Sequence, residues 1–113
     1  MPALREYLDP HDRTPFGRWL DGLPTSAAVK VRTALARLEA GNTSSLKSVG
    51  GGVHELRIDF GPGYRVYLGV DSADLVILLG GGTKARQNVA IADAQQRWID
   101  YRRRKRRGEQ EAD

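Results

Sequence analysis

The sequence has no cysteine, only two histidines, and no long apolar run among its 113 residues. Without cysteine there is no disulfide and no thiolate metal site, which is typical of the reducing cytoplasm. No apolar run approaches the roughly 20 residues that a membrane span needs, and the first ten residues lack the apolar core of a signal peptide. We therefore expect a cytoplasmic protein that does not associate with membranes.

The two histidines, His11 and His54, are far apart in the chain, and no paired carboxylate spacing accompanies them. A metal site is therefore not expected. His54 shares its facing with apolar strand residues, so we interpret it as a structural histidine with satisfied hydrogen bonds rather than a general base.

Positive charge is concentrated at one end of the chain. The formal net charge is +4, yet residues 102–107 are all basic, and three acidic residues follow. Residues 1–101 hold the other 12 basic and 11 acidic residues. We expect a single, nearly neutral domain over 1–101 and a tail over 102–113, basic and then acidic, that adds only diffuse, salt-sensitive attraction to nucleic acid.

Apolar spacing and turn residues predict the elements of the first half. These are a strand at 3–8, a helix from Thr14–Pro15 to Gly22–Pro24, and a helix from Thr25 or Ser26 to Gly41–Asn42. We expect the helices to form an antiparallel hairpin. Residues 42–52 are predicted to be a flexible loop, and their glycines do not form a P-loop, because the Gly-Lys-Ser/Thr ending is missing and a strand follows.

In the second half, residues 75–79 are apolar at every position, as in a strand buried on both faces. Three glycines at 80–82 are expected to break this strand. A helix is predicted from about 88 to 106 because apolar residues recur at three- and four-residue steps. Trp19 and Trp98 lie on apolar helix stripes and are expected in the core.

Between these halves, Val53–Leu68 predicts a β-hairpin that turns at Gly61-Pro62-Gly63. Alternation divides its side chains between two faces. One face is apolar, with Leu56, Ile58, Phe60, Val66 and Leu68. The other is polar, with Glu55, Arg57, Asp59, Arg65 and Tyr67.

The polar face suggests an anion site. Arg57 and Arg65 lie on adjacent strands with the same facing, and Lys84, Arg86 and Lys47 can approach from the edges. Five cations near one face would hold an RNA phosphate and stabilise the charge of a pentavalent transition state. The alternative is an ordinary solvated face, on which acidic neighbours neutralise the arginines.

The order of elements and several motifs resemble the RelE/ParE toxin superfamily. The motifs are WLDGL, GN after the second helix, GVHELRIDFGPGYRVYLG, LLGGGTK and QNVAIADA. They look like the HigB-like branch of phage-derived addiction-module killer proteins, over roughly residues 14 to 98. The resemblance implies an α+β fold, RelE-like, with an antiparallel sheet, an N-terminal helix hairpin and a C-terminal helix.

The resemblance also implies a function. Such a protein is the toxin of a type II toxin–antitoxin module, an mRNA interferase that cuts messenger RNA in the ribosomal A site without metal or other cofactor. A cognate helix-turn-helix antitoxin would silence it. Arg57 and Arg65 would clamp the phosphate, Lys84 would act as acid or further clamp, and Tyr67 would orient the base or the hydroxyl. Glu55 would be the base or would position Arg57.

Lys47 and Arg86 would add RNA-binding charge around this site. The superfamily leaves a second function open, a ParE-like poison of DNA gyrase without nuclease activity. A third is a non-catalytic module that binds ribosomal RNA through the tail.

Overall fold

Five strands and three helices make up the chain in the computed structural model, which describes the backbone of residues 2–112 and the side chains of residues 2–108. The strands are β1 (Ala3–Glu6), β2 (Leu46–Gly50), β3 (Val53–Ile58), β4 (Tyr64–Ser72) and β5 (Leu75–Thr83). The helices are α1 (Pro15–Asp21), α2 (Thr25–Glu39) and α3 (Gln87–Ala112), with a 3-10 turn at Lys84–Arg86. The α+β class is confirmed.

The five strands form one mixed sheet in the order β1-β5-β4-β3-β2. Strands β2 to β5 pair antiparallel, and the predicted hairpin is confirmed as β3 and β4. The expectation of an antiparallel sheet is wrong at one edge, because β1 pairs with β5 in parallel. The connection between this parallel pair is long, because both helices and strands β2 to β4 lie between β1 and β5 in the chain. An antiparallel pairing of α1 with α2 stays a prediction.

The predicted flexible loop at 42–52 is wrong in its second half, where β2 pairs antiparallel with β3. Only Leu46 and Val49 are apolar in this strand, and its register shifts between Ser48 and Gly50. Edge strands are often short and carry charged residues or bulges, as this strand does. The alternation signal is therefore weak in this segment.

Each face of the sheet carries its own core. On one face, α1 and α2 bury Phe16, Val31 and Leu38 against the strands. On the other, α3 buries Ala94 and Trp98. Residues 75–79 supply both cores, as predicted for a strand buried on both faces.

The predicted break at the glycines 80–82 is wrong, because β5 continues through them to Thr83. A bulge at Leu79 turns both Leu79 and Gly80 toward α3, and the alternation beyond it is shifted by one residue. Each of these glycines leaves room for a helix side chain that packs directly on the strand. Any side chain at Gly81 would overlap the Trp19 ring, and one at Gly82 would press on Ala90 of α3.

Helix α3 begins at Gln87 and continues through the basic segment 102–107. Side-chain hydrogen bonds attach it to the sheet and to the residues that follow β1. Tyr7 donates a hydrogen bond to Asp100 at 2.6 Å, and Lys105 bonds Asp71 at 2.6 Å. The side chains of the acidic residues predicted at the end of the tail lie outside the described residues. No helix within residues 2–112 is both long enough and apolar enough to cross a membrane.

We expect α3 docking to weaken in alkali. Burial, with the hydrogen bond to Asp100, raises the pKa of Tyr7 to about 12. Burial, with the hydrogen bond to Asp71, likewise raises the pKa of Tyr101 to about 12. The unfolded phenols ionise near pH 10. Both groups therefore contribute stability that is fully present below about pH 10 and is lost as the pH rises through about 12.

Urea unfolding measured at pH 7 and at several values between pH 10 and 12 checks this expectation. A Tyr7→Phe/Tyr101→Phe variant should lose less stability over this pH interval than the parent protein. An identical alkaline decline in both proteins would contradict the assignment.

Candidate functional site

Two rows of residues run across the sheet face on which α3 lies. Arg57 of β3 stands opposite Arg65 of β4, which stands opposite Gly82 of β5. In the next row, Glu55 stands opposite Tyr67. Alternation therefore places both arginines together, as predicted.

The face is only partly open, because α3 covers the row that contains Glu55 and Tyr67. Both of these side chains are fully buried, at 0% exposure, and Arg65 is only 4% exposed. Arg57 remains exposed, with 47% of its side chain accessible to solvent. The alternative of a solvated face is therefore wrong for Glu55, Tyr67 and Arg65, although the acidic neutralisation of the arginines that it included is present at Glu55. The two arginines instead mark the border between a buried polar cluster and solvent.

Glu55 is the centre of this cluster. Its carboxylate accepts hydrogen bonds from Arg57 Nε at 3.3 Å and from the Tyr67 hydroxyl at 3.2 Å. Arg65 Nε lies 3.5 Å from the same carboxylate, close enough for an ion pair although the geometry is not that of a hydrogen bond. A buried carboxylate with a cation on each side holds both guanidinium groups in place.

Tyr67 lies inside the protein rather than on the surface. Burial, reinforced by the negative charge of Glu55, raises the pKa of Tyr67 above its ordinary value. The phenol therefore stays protonated and donates its hydrogen bond to Glu55. With no exposed ring surface it contacts other site residues and does not reach a bound nucleotide.

The hairpin turn brings Lys84 to the arginines. Gly61 and Gly63 have φ values of 55° and 84°, which suit glycine. The backbone N–H of Lys84 donates to the carbonyl of Gly63 at 3.1 Å, so the residue that follows β5 is tied to the turn between β3 and β4.

These residues line an open cavity of about 390 Å³, which we call the hairpin pocket. It is lined by Arg57, Asp59, Phe60, Gly61, Pro62, Gly63, Arg65 and Lys84. Three cations and one carboxylate border it. The pocket can therefore hold an anion such as a phosphate.

Lys47 and Arg86 lie outside the hairpin pocket. Lys47 is exposed on the edge strand β2, opposite Glu55. Arg86 is exposed in the 3-10 turn and borders a different cavity, together with Trp19 and Arg97. The structure thus unites three of the five cations singled out in the sequence.

His54 is half-buried, and its Nδ1 atom is buried without a hydrogen-bond partner among the described residues. The interpretation of a satisfied structural histidine is therefore wrong for this atom. Trp98 is buried and Trp19 packs on the α1–α2 core, so their core assignment is confirmed.

Asp59 is a pocket residue to which the sequence pattern assigned no role in the reaction. Its exposed carboxylate lines the hairpin pocket, whereas Glu55, the carboxylate proposed as base, is buried beneath it. Alternation did place Asp59 on the face of Arg57. Its position just before the turn, outside the area that α3 covers, is what distinguishes it from Glu55.

Comparison with known proteins identifies the family. The sequence model described as "Phage derived protein Gp49-like (DUF891)" matches residues 18–99, which include the hairpin pocket. The chain is also similar to a protein of Haemophilus influenzae, described as an uncharacterized protein. The two are 46% identical over 80 residues, covering 70% of this chain and 81% of that protein. The family match extends over most of the chain, and the chain therefore belongs to the Gp49-like family of phage-derived proteins.

Proposed function

We propose that this protein is the toxin of a type II toxin–antitoxin module and that it cuts messenger RNA on the ribosome. The observation that carries the proposal is the hairpin pocket, where Arg57, Arg65 and Lys84 converge around a space that fits a phosphate. The Gp49-like family is toxin-like, which agrees with this role. A ribosome-dependent toxin acts in the cytoplasm and requires a silencing partner, which we propose is a helix-turn-helix antitoxin.

The reaction that suits this pocket is internal transesterification. The 2′-hydroxyl attacks the adjacent phosphorus, the P–O2′ bond forms and the P–O5′ bond breaks, leaving a 2′,3′-cyclic phosphate and a 5′-hydroxyl. Charge grows on the phosphoryl oxygens in the transition state, and preorganised cations stabilise it. Arg65, held beneath the pocket by Glu55, and Arg57, at its mouth, supply this charge.

Two proton transfers complete the reaction. A base must take the proton of the 2′-hydroxyl, and an acid must protonate the departing 5′-oxygen. We assign the first role to Asp59, whose carboxylate lines the pocket, and the second to Lys84, which is tied to the turn. Glu55 and Tyr67 are buried and act as positioning residues. Lys47 and Arg86 bind flanking RNA in this proposal.

The test is primer extension on a defined messenger during translation, with ribosomes and without them. Arg57→Ala suits this test because Arg57 is half-exposed and its loss leaves no buried charge unpaired. We expect ribosome-dependent cuts whose rate falls about tenfold in the variant, less than the 10²–10³ typical of a fully preorganised donor. Arg32→Ala, which removes an exposed arginine of α2 outside the pocket, should cut at the parental rate.

Intact messenger with the parent protein would reject the nuclease function. DNA damage under the same conditions would then favour the gyrase poison. Equal losses in the Arg57 and Arg32 variants would show that only overall charge matters.

A further inference from the structure

A second cavity, of about 510 Å³, lies at the opposite end of β3 from the hairpin turn, and we call it the α3 groove. Its lining includes His54, Asp71, Trp98, Arg102, Lys105 and Arg106. Gly52, also in its lining, precedes Arg57 by five residues, so the groove and the hairpin pocket are about 17 Å apart at ~3.4 Å per residue.

The base of the α3 groove is formed by Trp98, which is packed tightly on both sides. Trp98 is 6% exposed, and its ring stacks on Tyr101 with centroids 5.4 Å apart and planes 5° from parallel. A side chain at Gly69 would overlap the Trp98 ring, so the sheet and the indole are in direct contact. The helix that forms one wall is therefore held at a set height above the sheet.

Positive charge lines that wall. Arg102, Lys105 and Arg106 follow the spacing i, i+3, i+4, which places them on one side of α3. Lys105 bonds Asp71, which also accepts a hydrogen bond from Tyr101 at 2.7 Å. These two hydrogen bonds lower the pKa of Asp71, so its carboxylate stays ionised. Its charge is directed at Lys105 and Tyr101 rather than at the arginines of the groove.

Arg102 and Arg106 are left to act on a ligand. Both are exposed, and neither forms an ion pair with any described side chain. Their backbone is fixed, because the same helical turns carry Lys105, which bonds Asp71 of β4, and Arg104, which donates a hydrogen bond to the carbonyl of Leu8. Two guanidinium groups on a docked helix differ from the diffuse attraction expected of a loose basic tail.

We propose that the α3 groove binds the phosphate backbone of an RNA strand, with Arg102 and Arg106 as the phosphate ligands. The inference rests on the proposed function, in which the same protein holds RNA in the hairpin pocket. A guanidinium group contacts two phosphate oxygens at once, and residues four apart are neighbours on a helix surface, so the two arginines can each take a phosphate of one strand. The bound strand belongs either to ribosomal RNA or to the messenger beyond the cut.

Matched variants on one helix test the groove. Arg102→Gln/Arg106→Gln removes two charges from the groove, and Arg103→Gln/Arg107→Gln removes two charges from exposed positions outside its lining. The probes are ribosomes without messenger and a single-stranded 2′-O-methyl oligoribonucleotide, which lacks the attacking hydroxyl. The dissociation constant of each full-length protein is measured over a range of salt concentrations, and circular dichroism checks that each variant is folded.

We expect the groove variant to bind at least about tenfold more weakly at low salt, with a salt dependence reduced by about one to two phosphate contacts. The control variant should change by less than about threefold. A loss seen on ribosomes alone identifies ribosomal RNA, and a loss on the oligoribonucleotide identifies the messenger.

Equal losses in the two variants would overturn the groove in favour of diffuse attraction. Unchanged binding to both RNA probes would also overturn it. Because the readout is binding, failure of the nuclease proposal is separate: a parent protein that does not cut messenger can still distinguish the two variants.

Discussion

Replacing Glu55 by alanine is expected to lower the free energy of unfolding by about 3–5 kcal/mol and to abolish cleavage. Arg65 is 4% exposed, so without Glu55 its charge would stay buried with no carboxylate beside it. The Tyr67 hydroxyl would lose its acceptor as well. Urea unfolding and the cleavage assay measure the two effects.

Glu55→Gln separates positioning from proton transfer. The amide oxygen can still accept the hydrogen bond of Tyr67, so this variant should be more stable than Glu55→Ala. Its cleavage should be slower than that of the parent, with the same shape of pH profile, because the base is another group. Glu39→Ala, which removes an exposed carboxylate of α2, is the control and should change neither property.

A folded Glu55→Gln variant without the acidic limb of the pH profile would identify Glu55 as the base itself. A Glu55→Ala variant as stable as the parent would refute the buried cluster.

Replacing Gly69 by alanine is expected to cost about 1–3 kcal/mol of stability through overpacking. The added methyl group would overlap the Trp98 ring, and that ring is buried between the sheet and Tyr101. The backbone at Gly69 is not in the left-handed region, so the loss arises from contact alone. Urea unfolding measures it.

Gly108→Ala is the matched control, since nothing lies within 4 Å of a methyl group at this position of α3. It should be neutral or should stabilise the helix by up to about 1 kcal/mol. Trp98→Leu should make Gly69→Ala less costly than in the parent, because neighbouring substitutions are not additive. Additive losses would show that Trp98 is not what limits this position.

Alternation along β3 and β4 predicted the polar set of Glu55, Arg57, Arg65 and Tyr67 and its common face. It did not predict which members are buried. Burial depends on where α3 crosses the sheet, and this is determined by contacts between segments distant in sequence. In the sequence, the position of α3 is marked only by the glycines that lie beneath the helix, such as Gly69 and Gly82. Glycine is also typical of strand ends, so these residues alone do not predict where the helix lies.

The sequence predicted that cations would meet at the hairpin, but not which of the five would line the hairpin pocket. Arg57, Arg65 and Lys84 were expected to approach one another, and they line one cavity. Arg86, only two residues after Lys84, points to another cavity because the chain makes a 3-10 turn there. A turn of this length leaves no periodic pattern in the sequence from which the direction of a side chain can be read.

The bulge at Leu79 means that the hairpin pocket depends on the exact number of residues in β5. Beyond it, Gly81 lies under Trp19 on one face and Gly82 under Ala90 on the other. Deletion of a single residue here would move Gly81, Gly82 and the residues that follow, up to Lys84, to the opposite face of the sheet. Gene variants that shorten or lengthen this strand by one residue would therefore disassemble the hairpin pocket while every one of its own residues remained encoded.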